Sequence, residues 1–398
     1  MTPTVSLRTL PTGVWALGFA SLFMDMSSEL VHALLPLYMV GTLGASVALV
    51  GIIEGIAEAT AAITKLFSGA LSDFVRRRKF LLVLGYGLAA FTKPVFPLAG
   101  SIGWVMAARF VDRIGKGIRG APRDALVADI TPPQQRGAAY GLRQSLDSVG
   151  AFLGPLLAIL LMLLFENEIQ KALWIAVIPA FVTVALLIIF VRDPEPAAAH
   201  QAPRAPLHWR DTQRLPRAYW YVIGLAALFT LARFSEAFLV LRASETGFGL
   251  AWVPAVMIVM NVVYALGAYP AGALSDRISS RTLLVVGLLC LVLADVLLAL
   301  SADVLFTLAG SACWGLHMAF TQGLLAKLVA DRAPVDLRGT AFGIFNLVSG
   351  VALLLASALA GALWAGVGAS ATFAAGALFA LLTLVGLLVP VRNRTHSH

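Results

Sequence analysis

Residues 69–79 read GALSDFVRRRK and residues 272–281 read GALSDRISSR. The pentapeptide Gly69-Ala70-Leu71-Ser72-Asp73 thus returns letter for letter as Gly272-Ala273-Leu274-Ser275-Asp276, 203 positions later. A second signature keeps almost the same register: Asp129, Pro132, Arg136-Gly137 and Gly141 return as Asp331, Pro334, Arg338-Gly339 and Gly343, 202 positions later. Two distinct loop signatures repeating in one register mark an internal duplication. Apolar runs flank both copies, so the repeat is one of membrane-spanning helices, and parallel repeats of this kind place a binding site near the bilayer midplane between two related bundles.

The composition agrees. The 398 residues are 59% hydrophobic and 13% charged, and the mean hydropathy is +0.87. A water-soluble chain of this length could not hide so much apolar surface. Cutting at Pro, Gly and charge clusters gives twelve runs near the 20 residues that cross hydrocarbon: 14–40, 47–70, 80–99, 103–130, 138–165 and 171–191, then 218–242, 250–273, 282–301, 304–330, 339–366 and 370–390. The fold class expected is all-α, with residues 1–191 forming one six-helix bundle, 192–217 a Pro-rich polar linker, and 218–398 a second bundle.

Loop charge sets the orientation. The termini, the linker and the even-numbered loops hold 17 Lys/Arg, among them Arg77, Arg78 and Arg277, whereas the odd loops hold only Lys171 and Arg242. The positive-inside rule therefore puts both termini and the linker in the cytoplasm. The N-terminus does not read as a cleavable leader, because its apolar stretch is too long and is interrupted by acids. The net charge of +8 lies in short loops and within spans rather than on a soluble basic face, which excludes a nucleic-acid partner. Cys290 and Cys313 sit in apolar runs without ligand spacing, His396 and His398 are too few for a metal site, and no cofactor is implied. Gly115-Lys116-Gly117-Ile118-Arg119-Gly120 fits a dinucleotide-binding pattern in letters alone, since no strand precedes it.

The charges inside the runs carry the functional information. A charge at mid-bilayer costs roughly 2.5–3.5 kcal/mol on insertion scales, so such residues face a cavity or a partner. In the first run Asp25, Glu29 and His32 are spaced i, i+4, i+7. The second run aligns Glu54, Glu58 and Lys65, and the fifth aligns Arg143 with Asp147. In the fourth, Arg109, Asp112, Arg113, Lys116, Arg119 and Arg123 fall within a sector of about 120° at 100° per residue. These stripes are expected to face one another within the first half, many of the charges neutralising in pairs. The four cations Arg109, Arg113, Lys116 and Arg119 favour an anion, while Glu54, Glu58, Asp112 and Asp124 offset part of that charge.

On these residues the chain resembles the major facilitator superfamily over essentially its whole length. The segment Gly69 to Lys79 is similar to the superfamily's G-x-L-x-D-R-x-G-R-R/K loop, with Phe74 in place of the usual Arg and Arg76 in place of the usual Gly; Asp276-Arg277 restores that Arg in the second copy. Gly141, Gly150 and Gly154-Pro155 resemble the fifth-helix motif of drug/proton antiporters, although Ala158-Ile159 stands where two glycines are usual. The fourth run resembles the R-x-x-Q-G motif of proton-coupled members in part, with Arg109 or Arg113 as the matching arginine. The resemblance implies a non-enzymatic secondary transporter of the bacterial inner membrane that works by alternating access, with small-molecule substrate and protons as partners and a single chain sufficing. Proton-coupled efflux of a small organic or amphiphilic compound, an anion among the candidates, is the function expected. Uptake of an organic anion, or an enzyme acting on a lipid-linked anion, are the alternatives. By the same resemblance the first helix lines the cavity, so Asp25 and Glu29, then Asp147, are the proton-carrying candidates. His32, Glu54, Glu58, Arg109, Asp112, Arg113, Lys116, Arg119 and Arg143 are the candidate ligands. Gly69, Asp73, Arg77, Arg78, Asp276, Arg277, Gly150, Gly154 and Pro155 are the candidate gating residues.

Overall fold

The computed structural model describes residues 10–75, 77–193, 209–275, 277–321, 324–334 and 337–388, and among them there is helix and no strand. In chain order the helices are α1 Thr12–Leu37, α2 Val47–Val75, α3 Arg78–Thr92, α4 Val95–Leu98, α5 Ile102–Ile130, α6 Arg136–Leu164, α7 Ile169–Ile175 and α8 Val177–Phe190. Then come α9 Arg217–Leu231, α10 Ala237–Glu245, α11 Ala255–Ser275, α12 Ser280–Ala299, α13 Val304–Thr321, α14 Leu324–Arg332, α15 Arg338–Gly366 and α16 Ala369–Leu388. Among the described residues ten helices are long and apolar enough to cross a membrane. The runs at α5 and α9 fall short of that measure for different reasons: α5 spans 29 residues but is crowded with charge, and α9 has 15 residues. Exposed Phe91, Trp104, Leu164, Leu305 and Val385 contrast with buried Arg109, Asp112 and Arg113. Apolar outside and charged inside is the pattern of a protein whose solvent is lipid, so the chain is a multi-pass integral membrane protein.

Several expected runs are interrupted. The run 80–99 breaks after Thr92, where Pro94 cannot donate to the ladder. The run 218–242 is broken from Ala232 to Glu236. There the Ala232 N–H still bonds back to Leu228, while the Ser235 hydroxyl accepts the Ala237 N–H at 3.3 Å and so restarts the helix as a cap does.

The chain gathers into two compact units. One holds residues 1–45, 56–204 and 248–258; the other holds 46–55, 205–247 and 259–398. Helix α2 contributes to both, which moves Glu54 out of the company of Glu58. The cause is legible in its first turns. A Cβ added at Gly55 would meet Leu354 O at 2.9 Å, and Gly51 packs equally tightly on Ser357 O and on Gly361 of α15. These glycines let the first turns of α2 lie on the α15 backbone. Glu54 is fully buried there and accepts a hydrogen bond from the Ser235 hydroxyl at 3.3 Å. This second unit is also held by Tyr219, whose hydroxyl donates to Ala341 O at 2.9 Å, and by Arg242. Arg242 donates to Leu298 O and Ser301 O at 3.0 and 2.7 Å, so a residue placed in a loop by charge counting instead caps the end of α12.

In the first unit the closest packing is α1 on α6. Gly150 fits against Leu22 O and the Asp25 Cβ, and a Cβ at Gly154 would lie 2.6 Å from the Glu29 Cβ and 2.9 Å from the Leu30 nitrogen. Pro155 follows inside the same helix. The small residues thus bring α6 onto the two turns of α1 that carry the acids. Gly154→Ala should overpack this contact and cost about 1–3 kcal/mol. The expected readout is a lowered unfolding temperature of the purified protein in detergent, whereas Gly141→Ala, where nothing lies within 4 Å of the new Cβ, should leave it unchanged.

Candidate functional site

The charged residues of the first unit form two networks. The deeper one joins α1, α2, α5 and the C-terminal cap of α3. The Lys93 ammonium donates to Asp112 Oδ1 at 3.0 Å and to the Ser28 hydroxyl at 3.2 Å. Asp112 also faces Arg113 Nε at 3.9 Å, and Arg113 Nη1 pairs with Glu58 Oε1 at 3.2 Å. Side-chain exposure falls from 31% at Glu58 through 6% at Arg113 and Asp112 to 1% at Lys93, so the network runs from accessible to sealed. Arg109 is buried on the same helix. A pair this deep survives only because its partners offset the desolvation of each ion.

The second network joins α1, α3, α5 and α6. Asp147 Oδ2 accepts from Arg143 Nη1 at 2.9 Å and lies 3.8 Å from Arg123 Nη1. Both arginines also face Asp124, at 3.5 and 3.7 Å. Arg123 donates to the Ser21 hydroxyl at 2.9 Å, which in turn meets the Tyr86 hydroxyl at 3.2 Å. Arg119 stacks over the Tyr86 ring, 4.5 Å from its centre. A guanidinium on an aromatic face keeps its charge while shedding water. Buried hydrogen-bonding capacity is left unmet at Arg119 Nη1, Arg123 Nε and Asp147 Oδ1. Such groups are where water or a ligand binds.

Between the networks lie the α1 acids. Glu29 faces His32 at 3.8 Å and is 24% exposed. Asp25 is half-buried and, among the described residues, makes no hydrogen bond or ion pair; the charges that act on it are those of Asp147, Arg119, Arg123 and Lys116. Lys116 is exposed, unlike its neighbours on the α5 stripe, and acts electrostatically on Asp25, Glu29 and Glu58 alike. Asp25, Glu29, Glu58 and Lys116 therefore form the accessible part of the site, backed by the buried lattice.

The fold brings together Asp25, Glu29, His32, Glu58, Arg109, Asp112, Arg113, Lys116, Arg119, Arg143 and Asp147 in one unit, and places Glu54 in the other. Of the candidate gating residues, Arg78 pairs with Asp129, and the neighbouring Lys79 donates its N–H to Asp193 at 2.7 Å and its ammonium to Ile188 O at 2.8 Å. Arg77 and Arg277 are exposed. The side chains of residues 69–71 and 73–75, Asp73 included, and all of Asp276 lie outside the described residues. Sequence reasoning passed over Lys93, Ser21 and Tyr86. Lys93 could have been found by the rule applied to the fourth run, since it is an ammonium inside an apolar stretch. Tyr86 carried no such signal. Among the described residues no cluster of His, Cys, Asp and Glu has the arrangement of a metal site.

Comparison with known proteins gives this site its setting. The profile of the family described as Major Facilitator Superfamily matches residues 17–263 and 237–398. An MFS-type transporter of Methanocaldococcus jannaschii is 32% identical over 390 residues, covering 96% of this chain and 95% of that one. A "Probable 4-methylmuconolactone transporter" of Cupriavidus pinatubonensis is 27% identical over 358 residues, covering 83% of this chain and 76% of its own. A crystal structure of a POT family transporter in complex with 5-aminolevulinic acid superposes with a TM-score of 0.79 at 13% identity, covering 97% of this chain and 96% of that one. The duplicated signature, which the structure places at the ends of α2 and α11 rather than in loops, the all-helical fold with charge turned inward and the family match agree: the chain belongs to the major facilitator superfamily of membrane transporters.

Proposed function

We propose that this chain exports a small organic or amphiphilic compound across the inner membrane of a bacterium in exchange for protons, by alternating access. The observation that carries this reading is the state of Asp25. It is an acid at membrane depth, half-buried, without a bonded partner, and set among four charged neighbours of both signs. A carboxyl held by its surroundings rather than by one fixed partner can change protonation as those surroundings change. Glu29 with His32 forms the second carrier and Asp147, locked to Arg143, the third. Arg119, with its unmet Nη1, and Lys116 are the groups that would meet an anionic part of the substrate, and the Gly150/Gly154-Pro155 resemblance to antiporters favours export. The lactone transporter among the relatives supports a small organic substrate.

Uptake of an organic anion with protons is the second reading, favoured by the unmatched guanidinium donors at Arg119 and Arg123. Inverted and right-side-out vesicles with an imposed pH gradient separate the two by direction. The probes are 4-methylmuconolactone, a simple carboxylate, inorganic phosphate and a cationic dye. A chemically altered probe would point instead to an enzyme.

Three outcomes are expected of variants. Asp25→Asn and Glu29→Gln should each abolish gradient-driven flux while the protein still inserts; full flux in both would remove these acids from the mechanism. Asp73→Asn, in the duplicated segment at the end of α2, should slow exchange between conformations, measured by spectroscopic probes, and leave substrate affinity alone. Weakened binding with unaltered exchange would contradict a gating role. Lys93→Met should leave Asp112 buried without its closest counter-ion and destabilise the protein by about 3–5 kcal/mol. The double variant Lys93→Met/Asp112→Leu should recover stability and flux if the pair serves packing. Recovered stability without flux would place Asp112 or Lys93 in substrate handling.

A further inference from the structure

The second unit holds an acid that the reading above does not use. Asp295, in the next-to-last turn of α12, has no exposed surface, and neither carboxylate oxygen has a hydrogen-bond partner. Arg242 of α10, at the end of α12, is bonded to Leu298 O, Ser301 O and Glu245 rather than to Asp295, and among the described residues the helices packed on α12 give it no ion pair. Helix α16 carries no ionisable side chain. On α13 the titratable residues are Cys313 and His317, and His317 Nδ1 lies 2.9 Å from Gly287 O, some 12 Å along α12 from Asp295 at 1.5 Å per residue. On α14 Lys327, Asp331 and Arg332 are exposed, and on α12 itself Arg281 donates to Leu387 O while Cys290 is half-buried. At the α9–α10 break Arg233 sits over the Phe229 ring, 5.7 Å from its centre, and Glu236 precedes α10. None of these is hydrogen-bonded or ion-paired to Asp295.

The space around the carboxyl is nevertheless shaped to it. A Cβ added at Gly376 of α16 would stand 2.7 Å from Asp295 Oδ2 and 3.0 Å from the Phe234 ring, so the absent side chain is what admits both groups. Phe234 comes from the non-helical break Ala232–Glu236, and its ring contacts Phe238, Trp314 and Phe373 at centroid distances of 5.4–5.5 Å. Phe234 and Gly376 also line a small apolar cleft together with Leu231, Leu359, Leu363 and Phe379.

An ionised carboxylate in such surroundings costs several kcal/mol, and a neutral acid far less. A metal cation would need several more oxygen ligands than one carboxyl supplies. A proton is the ligand that a single desolvated carboxyl can take. Breaks in spanning helices are, in turn, where coupling ions are handled in transporters. We propose that Asp295 is a proton-binding site of the second unit, filled while Phe234 covers it and emptied to water when the break at Ala232–Glu236 lifts Phe234 away. On release the O–H bond breaks, water accepts the proton, and the carboxylate stays hydrated until the cover returns. This site is independent of the α1 acids and does not require them to be carriers.

The test uses the purified full chain in lipid nanodiscs. At neutral pH the infrared carbonyl band of a neutral carboxylic acid should be present in the wild type, lost in Asp295→Asn and kept in Asp25→Asn. Hydrogen–deuterium exchange of the peptide over 230–237, corrected for intrinsic rate, should rise several-fold as the pH is raised in the wild type and stay at its low-pH level in Asp295→Asn. An unchanged band in Asp295→Asn, or the same pH response in both proteins, overturns the proposal. Should Asp295→Asn not fold, dicyclohexylcarbodiimide, which modifies protonated carboxyls in apolar surroundings, decides it. Modification of Asp295 that declines with rising pH supports the site, and its absence in both wild type and Phe234→Ala overturns it. Loss of these signals leaves the Asp25 and Glu29 flux experiments unaffected, so the two readings fail separately.

Discussion

An ion in an apolar medium must bring its counter-ion with it, and the first unit is built around that constraint. Lys93 and Asp112 could not be placed where they are singly, since each alone would cost several kcal/mol of lost hydration. Together, with Ser28 accepting a hydrogen bond from Lys93 and the Arg113 guanidinium facing Asp112 at ion-pair distance, they form a fixed buried point to which α1, α3 and α5 are tied. The lattice does more than hold helices. By consuming most of the cationic charge of α5 it leaves a small residue of unmatched groups, namely Asp25, Lys116 and the spare nitrogens of Arg119 and Arg123, where chemistry remains available.

The two units answer the same constraint differently. The first pairs its charges; the second nearly does without them, and its wall of Phe234, Phe238, Trp314, Trp364 and Phe373 is aromatic. The interrupted helices fit the same division of labour, because a helix broken at Ala232–Glu236 and restarted by Ser235 can change shape where an unbroken one cannot.

Much of this was legible in the sequence. The duplicated GALSD segment and the apolar runs led to an all-helical membrane protein, and the i, i+4 spacing of Arg143 and Asp147 led to the pair seen at 2.9 Å. The α1 and α5 stripes led to the neighbours that act on Asp25. Other features were not legible, for physical reasons. Periodicity treats α2 as one face, yet Gly51 and Gly55 commit its first turns to α15 and carry Glu54 with them. The break in the seventh run lies in ordinary helix-compatible residues, and only the hydrogen bond of the Ser235 hydroxyl to the next helix reveals it. Lys93 is a single charge in its apolar run, so the spacing that marks the stripes of α1 and α5 does not single it out. Tyr86 became relevant only when folding set it beneath Arg119.

The contact of Gly150 and Gly154 with α1 bears on how the first unit can move. At these two positions α6 rides so close that a Cβ on either residue would collide with the α1 main chain, at Leu22 O for Gly150 and at Met26 O and the Leu30 nitrogen for Gly154. The two helices must therefore travel as a welded pair. Any movement of the α1 segment that bears Asp25 and Glu29 takes Asp147 and Pro155 along, keeping the acids of both helices in constant register.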